Sequence, residues 1–255
     1  MASCYLRPVM RIALVGNGNL AWHISEAMRL HGMSIAIHYS RNNTPSLGWP
    51  LVHSIEQLPR DCDLYLLAVP DASITEIAAQ LPKMSSVVHF SGSTSLDAIP
   101  QQSKAVCWPI QTLTRGTNID YHEIPILWEC SEPGIRQKLE VSLQVVWGKW
   151  IYTTSEQRQQ AHLAAVISNN FTNHLQHITQ ELLASADLPT DLTLPMLRTH
   201  VELLRHHRPS DIQTGPARRN DVVTIQKQMD ALEYNQAWKK LYEIISDDIR
   251  KAVKE

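Results

Sequence analysis

Gly16, Gly18 and Ala21 stand at the spacing G-x-G-x-x-A, directly after the apolar run 11–15 and directly before a helical pattern. Each position has a steric reason. The first glycine permits a tight turn, the second has no side chain to block a phosphate, and the alanine lets the helix close on the strand. Asn17, Asn19 and Leu20 complete the turn and the helix start, whose free backbone N–H groups would face a diphosphate. The chemistry expected is dinucleotide binding. A glycine turn that merely packs is the alternative, and the strand–turn–helix–strand setting disfavours it.

The end of the second strand decides which dinucleotide. An NAD site usually has Asp or Glu there for the ribose hydroxyls. This chain has His38, Tyr39, Ser40, Arg41 and Asn42 instead. Arg41 can pair with a 2′-phosphate, and Ser40 and Asn42 can hydrogen-bond to it, so NADP is expected over NAD. Two further strand ends should lie near the nicotinamide half. At Val69, Pro70 and Asp71, the proline stops strand pairing and the aspartate is expected to cap the next helix. At Ser91 and Gly92, cofactor contact and a plain turn remain equal alternatives.

Short apolar runs alternating with helical patterns must position these residues. Strands are expected near 11–15, 33–39, 64–69, 86–90, 105–110, 124–128 and 149–152, and helices near 20–30, 72–81 and 133–146. This is an α/β pattern: a Rossmann-type, mostly parallel sheet over residues 1–153, covered on both faces. After Thr153 the pattern becomes all-helical, giving a second domain over residues 154–255. One long helix is expected over 155–184, with Ala164, Ser168, Phe171, Leu175, Ile178 and Leu182 as a small-to-apolar stripe. Helix resumes through Leu204, and a last helical region runs over 221–253 with a break near Tyr234. There Tyr234, Trp238, Leu241, Ile245 and Ile249 form another stripe.

The 255 residues are 44% apolar, enough for a sizeable core, and the net charge of −2 offers no basic surface for nucleic acid. No run of eighteen apolar residues suggests a membrane span. The first nine residues read as a loose extension without a signal-peptide core. Cys4, Cys62, Cys107 and Cys130 are scattered without a C-x-x-C pair, the pattern of a reducing, cytoplasmic setting. Twelve histidines, His174 and His177 among them, show no metal-ligand spacing, so no metal site is expected.

The segments ALVGNGNLA, AVPDASI, VVHFSGS, WPIQTLT, AHLAAVISNNFTNHL and TGPARRND together resemble a family of bacterial Rossmann-like proteins with a helical C-terminal domain of unknown function. Members carry the label of NADP oxidoreductases and are distantly related to pyrroline-5-carboxylate reductases and β-hydroxyacid dehydrogenases. The resemblance covers nearly all the chain from Met10 onward, and TGPARRND is its most specific part. It implies an NADP-binding domain, a homodimer built largely through C-terminal helices, and a site between the domains. Its motifs match at Gly16 and Gly18, Pro70 and Asp71, His89, Ser91 and Gly92, His162 and Asn170, and Gly215, Pro216, Arg219 and Asp221. The family's frequent His-Pro after the fifth strand is Trp108-Pro109 here. The related dehydrogenases use a lysine and an asparagine on the long helix; this chain has His162 in that region and no lysine between Thr153 and Ala184.

His162 is therefore the candidate proton donor. On a uniform α-helix Asn169 lies about 20° from its face and Asn170 about 80° away, so geometry favours Asn169 and the resemblance Asn170. In the loop 214–221, Arg218 and Arg219 could bind an anionic group, or Asp221 could pair with Arg219 and stabilise the loop. The expected activity is hydride transfer between NADP and a small polar substrate, anionic if the arginines bind it, as a carbonyl/alcohol or imine/amine pair. The alternative is a non-catalytic NADP-binding regulatory or scaffold protein.

Overall fold

Four apolar residues, Ile12–Val15, form β1 at the centre of the sheet, and every one is buried. The computed structural model of the chain describes residues 10–42 and 47–252. The leading extension with Cys4, and Val253 at the far end, lie outside the described residues. After β1 come α1 (Asn19–Leu30), β2 (Ile37–Tyr39), β3 (Leu51–Val52), β4 (Leu64–Leu67), α2 (Ile74–Gln80), β5 (Val87–His89) and β6 (Lys104–Pro109). β7 (Ile126–Cys130), α3 (Pro133–Val141), α4 (Leu143–Val146) and β8 (Trp150–Tyr152) complete the α/β region. The eight strands lie in the order β3-β2-β1-β4-β5-β6-β7-β8, all neighbours parallel except β6 and β7.

Alternation along the strands builds two cores. Ile12 and Leu14 of β1 and Leu64 and Leu66 of β4 face one side, where Ile24 and Met28 of α1 and Ile135 and Leu139 of α3 cover them. Ala13, Val15, Tyr65 and Leu67 face the other, beneath Ile74, Ile77 and Ala78 of α2. Burial on both faces explains why these strands read as continuous apolar runs. Three details differ from the expected pattern. The two-residue β3 is too short to show a period. β7 runs antiparallel to β6, since the chain between them contains no α-helical crossover. The helix expected over 133–146 breaks at Ser142, whose Oγ donates back to the Lys138 carbonyl at 2.5 Å.

The described residues divide into two compact units between Ser168 and Asn169. α5 (Ser155–Ala165) lies in the first unit although the sequence places a domain boundary near Thr153. Its anchor is polar. Arg158 is fully buried, and its guanidinium donates to Glu129 Oε1 on β7 and to the Thr94 carbonyl at 2.6 Å. Ser155 Oγ donates to the same Glu129 oxygen at 2.6 Å. Thr154 caps the helix in a capping box with Gln157.

The helix expected over 155–184 is not uniform. A π-helical segment spans Val166–Phe171 before α6 (Thr172–Ser185). The second unit continues with α7 (Leu194–Leu203), α8 (Pro209–Ile212), α9 (Val222–Ala231) and α10 (Gln236–Ala252), and the break near Tyr234 falls between the last two. Of the first stripe only Ile178 is buried; Phe171 is 55% exposed and Leu175 and Leu182 each 38%. Among the described residues no helix is long and apolar enough to cross a membrane.

Removing one partner of the Arg158–Glu129 pair leaves a buried charge uncompensated. Glu129→Ala should cost about 3–5 kcal/mol in urea denaturation, and Glu129→Leu/Arg158→Met should recover much of that. A loss under about 1 kcal/mol for Glu129→Ala would show that the pair does not anchor α5.

Candidate functional site

A groove opens where the chain leaves β1 for β2 on one side and returns to β4 on the other, the switch point at which parallel sheets bind ligands. Gly16 turns the chain with φ of 117°, and a Cβ there would sit 2.1 Å from the Ala68 carbonyl oxygen. Its N–H donates to the Tyr39 carbonyl at 2.9 Å. Its own carbonyl accepts from Nε2 of buried His38 at 2.8 Å. Burial holds the His38 imidazole below its ordinary pKa, so a neutral ring braces the turn. In the sequence His38 shows only that no acid stands there; nothing local marks it as a brace.

Gly18 differs from Gly16. Its φ is −78°, open to any residue, and a Cβ built on it meets nothing within 4 Å. Packing therefore requires Gly16 and does not require Gly18, which faces the open groove. The groove has a volume of about 440 Å³. Gly16, Asn17, Gly18, Asn19 and Leu20 line one wall, Val69 and Pro70 another, and Ser40, Arg41 and Asn42 the end beyond β2. No carboxylate lines it among the described residues, and the first turn of α1 carries no acid. Bare amides, a helix N-terminus and one guanidinium suit a phosphorylated ligand.

Asp71, Ser91 and Gly92 lie outside that lining and form a second cluster. Asp71 does not cap α2 as expected. Its Oδ2 accepts from Ser91 Oγ and Ser93 Oγ, both at 2.7 Å, which ties the end of β4 to the loop after β5. Ser91 Oγ in turn accepts from the Thr94 N–H at 2.9 Å. Gly92 lies beneath two rings: a Cβ on it would stand 2.5 Å from His162 Cδ2 and 2.7 Å from Trp108 Cε2. The His162 and Trp108 ring centroids are 5.3 Å apart. Half-buried His162 follows Arg158 by one turn on α5, so the buried pair with Glu129 fixes the helix that carries it. Neither Glu129, one residue beyond the strand expected over 124–128, nor Arg158 is marked by the sequence pattern.

Asn169 and Asn170 are exposed within the π-helical segment, so the uniform α-helical arithmetic for their facing does not apply. Such segments are frequent at functional sites. In the loop 214–221, Asp221 caps α9 by accepting from the Thr224 N–H at 3.1 Å and the Thr224 hydroxyl at 2.7 Å. Those bonds, with a smaller contribution from Arg219, hold its carboxyl below the usual range. Arg218 and Arg219 are exposed and form no ion pair among the described residues.

His89, fully buried beneath the 91–94 loop, accepts from the Ser91 N–H at Nδ1 (3.2 Å) and donates from Nε2 to the Ser95 carbonyl (3.3 Å). Burial pushes its pKa down to about 4. The unfolded chain takes up this proton near 6.5 and the native protein only near 4, so stability falls as pH drops through that window. The loss should reach roughly 2–3 kcal/mol. His89→Gln should flatten the pH dependence of the denaturation midpoint between those values, and an unchanged slope would contradict the assignment.

A family model described as a domain of unknown function (DUF2520) matches residues 124–249. No curated protein matches the chain at the sequence level. Among solved structures, a putative NADP oxidoreductase, BF3122 from Bacteroides fragilis, superposes with a TM-score of 0.86 at 28% identity, covering 95% of this chain and 98% of its own. Protein TM1727 from Thermotoga maritima gives 0.73 at 21% identity, covering 95% and 98%. A reductive aminase from Aspergillus terreus in complex with NADPH4, cyclohexanone and allyl amine gives 0.70 at 13% identity, covering 96% and 94%, a likeness of fold alone. The DUF2520 match thus covers the last strands of the sheet and most of the helical region, and the chain is similar over nearly its whole length to BF3122.

Proposed function

We propose that the chain is a cytoplasmic, NADP-dependent oxidoreductase acting on a small polar carbonyl/alcohol or imine/amine pair. The observation that carries this reading is Gly18: a glycine that packing does not require, at the mouth of a groove that ends in Arg41 and whose lining holds no carboxylate among the described residues. Gly16–Leu20 would hold the diphosphate, and Ser40, Arg41 and Asn42 the 2′-phosphate. The similarity to BF3122, a putative NADP oxidoreductase, supports this choice of cofactor. When bound, the nicotinamide supplies or accepts a hydride.

The chain's own part is to place a proton donor. His162 is the group we assign, held over Gly92 against the Trp108 ring. The Trp108 ring flanks one side of the imidazole, and the Arg158 anchor fixes α5 on the sheet. Exposed Arg219 is the candidate anion-holding group, and Asn169 and Asn170 are candidate polar contacts for the reactants. Exposed apolar side chains in the second unit, such as Met196 at 70% and Val223 at 66%, support a homodimer through the C-terminal helices. Sedimentation should give twice the chain mass.

Trp108, where relatives often carry histidine, and the missing lysine favour a second reading, an NADP-binding regulatory protein without turnover. The two separate when NADPH absorbance is followed against a panel of keto acids, aldehydes and imines. Turnover that falls at least about a hundredfold in His162→Ala supports the enzyme. NADPH binding with no turnover across the panel supports the regulator. Gly18→Ala should fold, losing about 1 kcal/mol or less at the helix cap, yet bind NADPH at least tenfold more weakly. Unchanged binding by that variant would remove the groove from the account.

A further inference from the structure

Beside the groove described above, outside its lining but bonded to two residues that line it, stands a cation that the glycine motif does not predict. Arg115 lies 98 residues beyond Asn17 in sequence, yet its Nη2 donates to both the backbone carbonyl and Oδ1 of Asn17, each at 2.8 Å. Its backbone N–H donates to Asn19 Oδ1 at 3.2 Å. The loop is therefore fastened to the two residues that flank Gly18.

Its placement is built rather than incidental. Fully buried His23, on the second turn of α1, donates from Nε2 to the Thr114 carbonyl at 2.9 Å and accepts at Nδ1 from the Tyr121 hydroxyl at 3.0 Å. Both bonds fall on the loop carrying Arg115, one on either side of it. Gly116, at φ of 83°, turns the chain there, and the Thr117 N–H closes the turn on the Thr114 carbonyl at 3.1 Å. Leu113 and Ile119 pack against the core on either side. The helix that begins at the turn thus also holds the loop that carries Arg115.

The electrostatics follow from that placement. Arg115 is exposed and forms no ion pair among the described residues. Both Nη2 protons point to Asn17, while Nη1 and Nε bond no protein acceptor among the described residues. A guanidinium without a counter-charge, held beside bare amides at a helix N-terminus, repels other cations and attracts a multiply charged anion. Arg41 stands at the other end of the groove and serves a different phosphate.

We propose that Arg115 is a diphosphate-binding residue, a charge contact common to NADP and NAD, whereas Arg41 alone discriminates between them. The proposal rests on the dinucleotide reading of the groove. It divides one affinity into two separable contributions: Arg115 sets how tightly any pyridine dinucleotide binds, and Arg41 sets which one.

Calorimetric titration of the full chain with NADPH, NADH and adenosine 2′-monophosphate tests it. Arg115→Gln should weaken NADPH and NADH by the same factor, about tenfold, and leave their ratio and the monophosphate affinity unchanged. It should also flatten the dependence of affinity on salt. Arg115→Lys keeps the charge without the fork and should recover most of the loss, which a residue that only braces Asn17 would not do. Arg41→Gln should lower the affinity for NADPH and the monophosphate and leave NADH unchanged. Wild-type binding matched by Arg115→Gln overturns this inference alone. So does a loss confined to NADPH, or an Arg115→Lys loss equal to that of Arg115→Gln. A wild-type protein that binds neither dinucleotide overturns the reading of the groove as well.

Discussion

The end of β4 passes so close to the end of β1 that no side chain fits between them, and the rest of the candidate site depends on that approach. The Ala68 carbonyl occupies the space a Cβ at residue 16 would need. The chain must turn there at positive φ, and Gly16 is the residue that can. The turn delivers α1 with its N-terminus toward the gap at the sheet's switch point. Because His38 and Tyr39 both bond Gly16, β2 stabilises the same geometry from the other flank. A void results, edged by amides on one side and by Val69 and Pro70 on the other.

A polar chain connects this void to the α5 helix. Asp71 at the end of β4 holds Ser91 and Ser93, the Ser91 hydroxyl holds Thr94, the Thr94 carbonyl holds Arg158, and Arg158 holds Glu129. Each member is fixed by the next, and His162 follows Arg158 by one helical turn. Gly92 completes the arrangement by having no side chain, which lets the His162 and Trp108 rings settle on its backbone. An imidazole stands beside Trp108 of β6, carried by α5 and not by a strand.

The sequence showed what local patterning can encode. β1, β4 and β5 were legible because strands buried on both faces are apolar throughout, and the glycine turn because its three positions are close together. Arg41 and the other groove residues followed from their place at strand ends. Long-range contacts were illegible: Arg115 bonds Asn17 from 98 residues away, and no periodicity marks it. The Arg158–Glu129 pair was hidden for the same reason. Asp71 has the local pattern of a cap, and its partners lie twenty and twenty-two residues on. The π-helical segment was missed because the apolar stripe continues through it at ordinary spacing.

A crystal structure of the protein grown with NADP tests the central claim most directly. The diphosphate should lie within hydrogen-bonding distance of the backbone N–H groups that follow Gly18, and the 2′-phosphate against the Arg41 guanidinium. A nucleotide bound elsewhere, or one with its adenosine end at the glycine turn, would contradict it.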